Sequence, residues 1–465
     1  MLFHTWTFLI FFLVAFAGYF SLRRTPLWTP WLLLASYVFY GWWNPFYLIL
    51  IVYSTALDFV VVEIMDRCAV RGPGRRAWLV VSIVNNLSLL GFFKYADFFI
   101  ENLNTLFGLQ IEEAARVMPF GLEYLLPVGI SFYTFQSMSY TIDFYRGKIA
   151  RERNFIRFAT FAAFFPQLVA GPIERATHLL PQFLRPPAIT TRHLTDGATL
   201  FLIGLFKKIA LSNYLALYVE RIYDSPADYG SAALLLATFC FAWQIYFDFS
   251  GYTDMARGVA RMMGFDLMLN FYHPYLATGL SDFWSRWHIS LSTWFRDYVY
   301  LPLGGNRRGA LLTYRNLLIV FLVSGFWHGA AWHFIVWGAL HAVGIVLTRA
   351  LERSGWYRER CPVSLKRAWV FAFVCFAWIF FRARTLDEAW LIVTRIFAGI
   401  WQDPACPLLM LALVAAVWAY QLTSASKRLQ GILTAGPVRI ATAASMVIYL
   451  FFCASGGGEF IYFQF

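Results

Sequence analysis

The sequence predicts an all-α polytopic membrane protein, with about ten to twelve transmembrane helices and further re-entrant or interfacial helices between them. Three observations lead there. The composition is 60% hydrophobic and 20% aromatic with only 14% charged residues, and the mean hydropathy is +0.57. A soluble chain of this length needs far more polar surface, so the solvent for most of the outside is lipid. Apolar runs close to the span length of about 20 residues recur from end to end. Finally, the basic residues gather in the short gaps between those runs, as topology-fixing cytoplasmic loops do.

Taken in order, the runs lie near 3–22, 28–43, 45–65, 77–99, 119–144, 197–219, 231–249, 314–347, 367–382, 406–422 and 436–454. The first has no clear small-residue cleavage site and is read as a retained helix rather than a signal peptide. The basic gaps are RCAVRGPGRR (67–76), RGKIARERNFIR (146–157), FRDYVYLPLGGNRRG (295–309) and RALERSGWYRER (349–360). Their placement assigns the net charge of +12 to membrane topology and argues against nucleic-acid binding. The six cysteines are scattered without metal-ligand spacing, which argues against structural zinc, an Fe–S cluster or a disulfide framework. No internal repeat or soluble domain is visible. The reading is therefore one integral-membrane domain over 1–465, with 455–465 a glycine-hinged aromatic tail.

Two stretches are too polar and too rich in Pro and Gly for simple spans: FFPQLVAGPIERATHLLPQF (164–183) and YHPYLATGLSDFWSRWHISLSTWFRDYVYLPLGGNR (272–307). Irregular backbone at membrane depth is tolerated where protein buries it or water lines it, so both are read as the floor of a cavity. In the second, a helix over SDFWSRWHISLSTWF sets Asp282 and Arg286 four residues apart in the favourable acid-first order and puts Trp284 and His288 on one face. That segment is either a solvated interfacial helix with its Trp residues at headgroup level or part of a site. The density of His288, the pairs 282/286 and 297/296, and Asn306 favours a site.

VSGFWHGAAWHFIVWGALHA (323–342) carries three histidines in a segment apolar enough to span. Gly325 and Gly329 make a small-xxx-small step that admits a close neighbour, and His328 lies between them, after Trp327. Intramembrane ionisable residues mark sites or pathways by default. His333 and His341 are read as satisfied helix–helix hydrogen bonds. On one helix the three imidazoles point in different directions, so they do not make a metal site. A buried imidazole that stays neutral can accept a proton from a hydroxyl, which suits a general base. GxSxG, a P-loop and a reactive-thiolate setting are absent.

PVGISFYTFQSMSYTIDFYRG (127–147), FPQLVAGPIERATHLLPQF (165–183), FDFSGYTDMARG (247–258), FWSRWHISLSTWFRDYVYLPLGGNR (283–307) and VSGFWHGAAWHFIVWGALHA (323–342) resemble the membrane-bound O-acyltransferases. The likeness covers most of 40–382 and is strongest to the bacterial branch that acetylates alginate or D-alanylates teichoic acid. It implies a catalytic His328 in the WHG motif and a second motif position at His288; beside them Asp282, Arg286, Trp327 and Asn306 are read from the sequence as support for the tunnel or site. It also implies a central tunnel open to a cytoplasmic acyl donor, acetyl-CoA, with no permanently bound cofactor and no metal. A periplasmic SGNH-type acetyltransferase or another polysaccharide-modification subunit is then a separate partner. The implied location is the bacterial inner membrane.

The chain ends in GGGEFIYFQF (456–465), and alginate-type members resemble it in such a tail. Tyr462 is read either as part of an aromatic interface anchor or as an acyl carrier. The carrier reading is chemically level: a thiol leaves with a pKa of about 8.5 and a phenol with about 10. Eight residues beyond Ala454, extended chain reaches up to about 26 Å, against a hydrocarbon core about 30 Å thick. The expected function is transfer of acetyl across the membrane for O-acetylation of an exopolysaccharide such as alginate. Alternatives are D-alanylation of teichoic acid, O-acylation of peptidoglycan or cellulose, and, in another class, a proton-coupled transporter, against which the missing internal symmetry speaks.

Overall fold

A computed structural model describes residues 1–112, 124, 126–169, 171–399, 401–426, 429, 431, 433 and 435–453, and helix is the only regular secondary structure among them. Eight helical stretches there are long and apolar enough to cross a membrane. The chain falls into two compact units, Met1–Leu200 with Ala256–Met268, and Phe201–Met255 with Leu269–Phe465.

The first unit begins with α1 (Trp6–Leu22), α2 (Trp28–Gly41), α3 (Leu48–Arg67), α4 (Pro73–Leu90) and α5 (Ala96–Phe107). Local chemistry sets their ends. Thr5 accepts the Phe8 N–H at the start of α1, Pro73 opens α4, and Gly108 closes α5 at φ 63°, a left-handed geometry that glycine adopts without strain. A π-helical turn, Gly91–Tyr95, joins α4 to α5. There follow α6 (Ile130–Tyr145), α7 (Phe155–Ala163), the short turns α8 (Phe165–Leu168) and α9 (Ala176–Leu179), and the start of α10 (Thr191–Leu205).

Of the run expected over 119–144, residues 119–123 and 125 lie outside the described residues. From residue 130 on it forms α6, which spans 16 residues and is buried along nearly its whole length. Its serines, threonines and Gln136 explain why: they belong inside protein, not against lipid. Asp58 on α3 accepts from Ser82 Oγ at 2.6 Å and from Asn86 Nδ2 at 3.0 and 3.1 Å, and Ser82 Oγ reaches Thr141 Oγ1 on α6 at 3.1 Å. With lipid outside, the hydrophobic effect does little to hold helices together, and such polar links contribute about 0.6–2 kcal/mol each.

The second unit takes the end of α10, a π-helical turn at Phe206–Ser212, α11 (Asn213–Tyr223), most of α12 (Ser231–Met262), α13 (Leu280–Arg286), α14 (Ile289–Phe295), α15 (Ala310–His328), α16 (Trp332–Arg353), α17 (Val363–Arg382), α18 (Leu386–Phe397), α19 (Leu408–Ala425) and α20 (Gly436–Cys453). Glycines bring backbones together. A β-carbon at Gly204 would stand 2.5 Å from the Gly251 carbonyl oxygen, so α10 and α12 touch main chain to main chain. Beside that contact Lys207 Nζ meets Asp254 at 2.6 Å, and Lys208 pairs with Asp248, both buried.

The run 314–347, expected as one hydrophobic stretch with a single helix over 323–342, is two helices. α15 ends at His328 and α16 starts at Trp332. Gly329 is extended there, and a β-carbon on it would overlap the Phe334 ring at 2.0 Å. Higher up the same pair, β-carbons at Gly325 and Gly338 would each come 2.2 Å from a carbonyl oxygen of the facing helix. Hydropathy stays high through the turn, so the sequence shows no break. The reversal rests on glycine and on packing by Phe334.

The single helix expected over 281–295 is also broken. α13 stops at Arg286, His288 takes φ 43° and ψ 54°, and α14 follows. Trp284 and His288 therefore do not share a face. Trp284 Nε1 donates to His341 Nδ1 at 3.3 Å, while His288 packs edge-on against Phe249 at 4.7 Å.

Candidate active site

His328 is the last residue of α15 and is 3% exposed. Three aromatic rings surround it: Trp327 at 4.9 Å, Trp337 of α16 at 5.0 Å and Phe381 of α17 at 5.4 Å between centroids. The local cause is the Trp-His-Gly order. Gly329 lets the chain leave the helix immediately after the imidazole, and the Phe334 ring occupies the space a side chain would take. Phe334 in turn packs on Phe381 at 5.1 Å, so the turn and the wall of the site support one another.

His288 is fully buried and sits 6.2 Å from the same Trp327 indole. Asn270 holds it. The Asn270 carbonyl oxygen accepts the Ile289 N–H at 2.9 Å. Its side-chain Oδ1 accepts the Ser290 N–H at 3.2 Å and the Ser290 hydroxyl at 3.0 Å, and lies 3.2 Å from His288 Nδ1. A backbone N–H only donates, which identifies the Asn270 atom as oxygen. The imidazole must then donate through Nδ1, so its acceptor lone pair is on Nε2. Burial pushes the His288 pKa down to about 3, and the ring is neutral at physiological pH. A left-handed conformation at a non-glycine residue costs about 1–3 kcal/mol, and the Asn270 clamp opposes that cost.

The clamp yields a testable expectation. Asn270→Ala removes the acceptor that fixes the tautomer and should lower turnover about 10–100-fold with helicity by circular dichroism unchanged. Native turnover in that variant would show that Asn270 does not orient the ring.

The other residues singled out from sequence are distributed unevenly. Trp327 is 4% exposed and lies within ring-contact distance of both histidines. Asp282 and Arg286 pair at 2.6 Å, with Asp282 Oδ2 also accepting the Thr278 N–H at 3.0 Å, so they brace α13 and tie its start to the preceding chain. Asn306 is exposed in the turn that precedes α15. Tyr462 lies outside the described residues. His333 Nδ1 meets the Phe380 carbonyl at 2.9 Å and His341 accepts from Trp284, the helix–helix roles expected of them. Asn270 was not anticipated. Its only sequence signal is an asparagine within the polar, Pro-containing stretch NFYHP (270–274), two residues ahead of the segment read as cavity floor.

Residues 126–386 match the family model described as MBOAT, membrane-bound O-acyltransferase family. The chain is 41% identical over 411 residues to the probable alginate O-acetylase AlgI of Pseudomonas aeruginosa, covering 86% of this chain and 76% of that protein. It is 37% identical over 421 residues to the peptidoglycan O-acetyltransferase of Helicobacter pylori, covering 84% and 78% respectively. With the teichoic acid D-alanyltransferase of Bacillus subtilis it shares 28% over 277 residues, 55% of this chain and 69% of that protein.

Proposed function

This chain belongs to the membrane-bound O-acyltransferase family and is a multi-pass membrane O-acyltransferase, and on that premise we propose that it moves acetyl from cytoplasmic acetyl-CoA to a hydroxyl acceptor for O-acetylation of an exopolysaccharide such as alginate. The observation that carries the reading is the pair of buried imidazoles, His328 and His288, gathered around Trp327. Acetyl is favoured over D-alanyl because the similarity to two O-acetylating proteins is higher and longer than that to the D-alanyltransferase. Peptidoglycan is the second acceptor reading, supported by the 37% identity to the Helicobacter protein.

In the proposed reaction the acceptor oxygen attacks the thioester carbonyl while the His328 imidazole takes the hydroxyl proton. The carbon–sulfur bond breaks, and the imidazolium returns that proton to the departing thiolate, so histidine and charge are regenerated. The aromatic walls exclude water, which would otherwise compete as acceptor and hydrolyse the thioester. His288, its Nδ1 held by Asn270, presents Nε2 as a second acceptor that orients the hydroxyl. In this proposal the donor approaches the imidazoles from the cytoplasmic side of the bacterial inner membrane, and a separate periplasmic SGNH-type acetyltransferase completes delivery to the glycan.

Purified protein given isotope-labelled acetyl-CoA should release coenzyme A and pass label to an acceptor. No release with acetyl-CoA, alongside turnover of a D-alanyl donor, would overturn the acetyl assignment. Tyr462 is the proposed carrier. Tyr462→Phe keeps the ring and removes the hydroxyl, and should abolish label on the C-terminal peptide by mass spectrometry. Undiminished polysaccharide acetylation in that variant would leave the tail as an anchor.

A further inference from the structure

The first unit contains a cleft of about 390 Å³ lined by Lys148, Ile149, Ala150, Arg151 and Glu152 on one side and by Ala176, Thr177, Leu180, Pro181 and Leu184 on the other. It includes neither histidine of the candidate active site. The volume is within the range of small-molecule sites, about 300–1,000 Å³. One wall belongs to the basic loop 146–157, and the other is mostly apolar.

The apolar wall is built rather than incidental. Glu174, fully buried, accepts the Met268 N–H at 2.6 Å and the His178 Nδ1–H at 2.8 Å, which ties the chain just ahead of α9 to His178 within it and to the backbone at Met268. That hydrogen bond to Glu174 raises the His178 pKa.

The basic wall has unused donors. Arg151 NH1 comes no nearer than 3.6 Å to Asp66 and 4.0 Å to Glu63, and its Nε is buried with no hydrogen-bond partner among the described residues. Lys148 Nζ stands 3.4 Å from Asp143. Charge-assisted bonds close to about 2.7–2.9 Å, so both cations have loose carboxylate neighbours. The cleft's own carboxylate is occupied, because Glu152 accepts the Asn154 N–H at 2.7 Å and pairs with Arg157 at 3.0 Å. Both cations line the cleft with carboxylate contacts longer than a closed ion pair, which leaves them able to take an anionic oxygen there.

We propose that this cleft binds a phosphate ester carried on an apolar body, with the phosphate on Arg151 and Lys148 and the apolar part against Leu180, Pro181 and Leu184. Arginine suits the task because its planar fork matches phosphate oxygens. Two sources carry that chemistry, an anionic phospholipid of the surrounding membrane and the 3′-phosphoadenosine end of coenzyme A. The coenzyme source rests on the acyltransferase reading, and the lipid source does not.

The test uses delipidated full-length protein in detergent and measures dissociation constants by native mass spectrometry. The probes are phosphatidylglycerol against phosphatidylcholine, and coenzyme A against its 3′-dephospho form. The native chain should prefer the phosphate-bearing anionic member of one pair, and which pair identifies the source. The double variant Lys148→Gln with Arg151→Gln should weaken that binding about tenfold or more, while Lys148→Arg with Arg151→Lys should retain most of it. Size-exclusion profiles check that both variants are folded. His328→Ala should bind the probe as the native chain does, so loss of the cleft and loss of catalysis are separable. No preference in the native chain, or equal binding by the glutamine variant, would overturn the proposal.

Discussion

His328→Ala should lower acetyl transfer about 10²–10⁴-fold, the range that general-base assistance supplies, while leaving the protein monodisperse. His328 ends a helix whose position is set by the Gly325 and Gly338 contacts and by Phe334 rather than by the imidazole. Removing the ring therefore leaves α15 and α16 in place. The truncation also opens a space against Trp337 and Phe381, and His328→Gln, closer in size and still polar, separates that packing effect from chemistry. Glutamine offers no basic nitrogen, so both variants should fall together. The measurement is coenzyme A release with labelled acetyl-CoA, alongside a thermal unfolding curve. Native turnover in either variant would remove His328 from the mechanism.

The second large effect belongs to a residue without a side chain. Gly325→Val places a β-carbon 2.2 Å from the Phe334 carbonyl oxygen and 3.4 Å from the Gly338 Cα. Both obstacles are backbone, so no rotamer relieves the clash and the helices must separate. Overpacking of this kind costs about 1–3 kcal/mol. Because His328 lies one turn below on the same helix, a shift of about 1 Å should also reduce turnover about 10²-fold. Gly355→Ala is the control, since nothing lies within 4 Å of a β-carbon there. Tryptophan-fluorescence melting should show a lowered midpoint for Gly325→Val and an unchanged one for Gly355→Ala. Equal midpoints would mean that the α15–α16 contact does not depend on glycine.

These two predictions differ in how much of their basis was legible in the chain. His328 stands out as a candidate directly from the chain, because an imidazole beside glycine in an apolar run is costly without a role. The glycine contact was half legible. A small-xxx-small step announced a close approach, but the partner turned out to be α16 folding back after a turn, not a helix continuing through 342. Trp327 was legible only as a neighbour of His328 in sequence, and its second contact, with His288, needed the fold.

The sequence by itself determined the lipid environment and the helical class, because hydropathy is a local property that survives without a fold, and its motifs carried the family resemblance that singled out His328 and His288 as candidates. Only the tertiary structure decided where the chain breaks and which nitrogen of His288 accepts. The break at Gly329 crosses a segment whose hydropathy gives no warning, and the break at His288 lies in a stretch whose polarity marked it as irregular without fixing where the helix ends. One is held by Asn270, 18 residues from His288, and the other by the Phe334 ring packed where a β-carbon would be. A hydrogen bond and a steric exclusion between positions apart in sequence exist only once the helices have packed, and those two contacts set the geometry of both imidazoles.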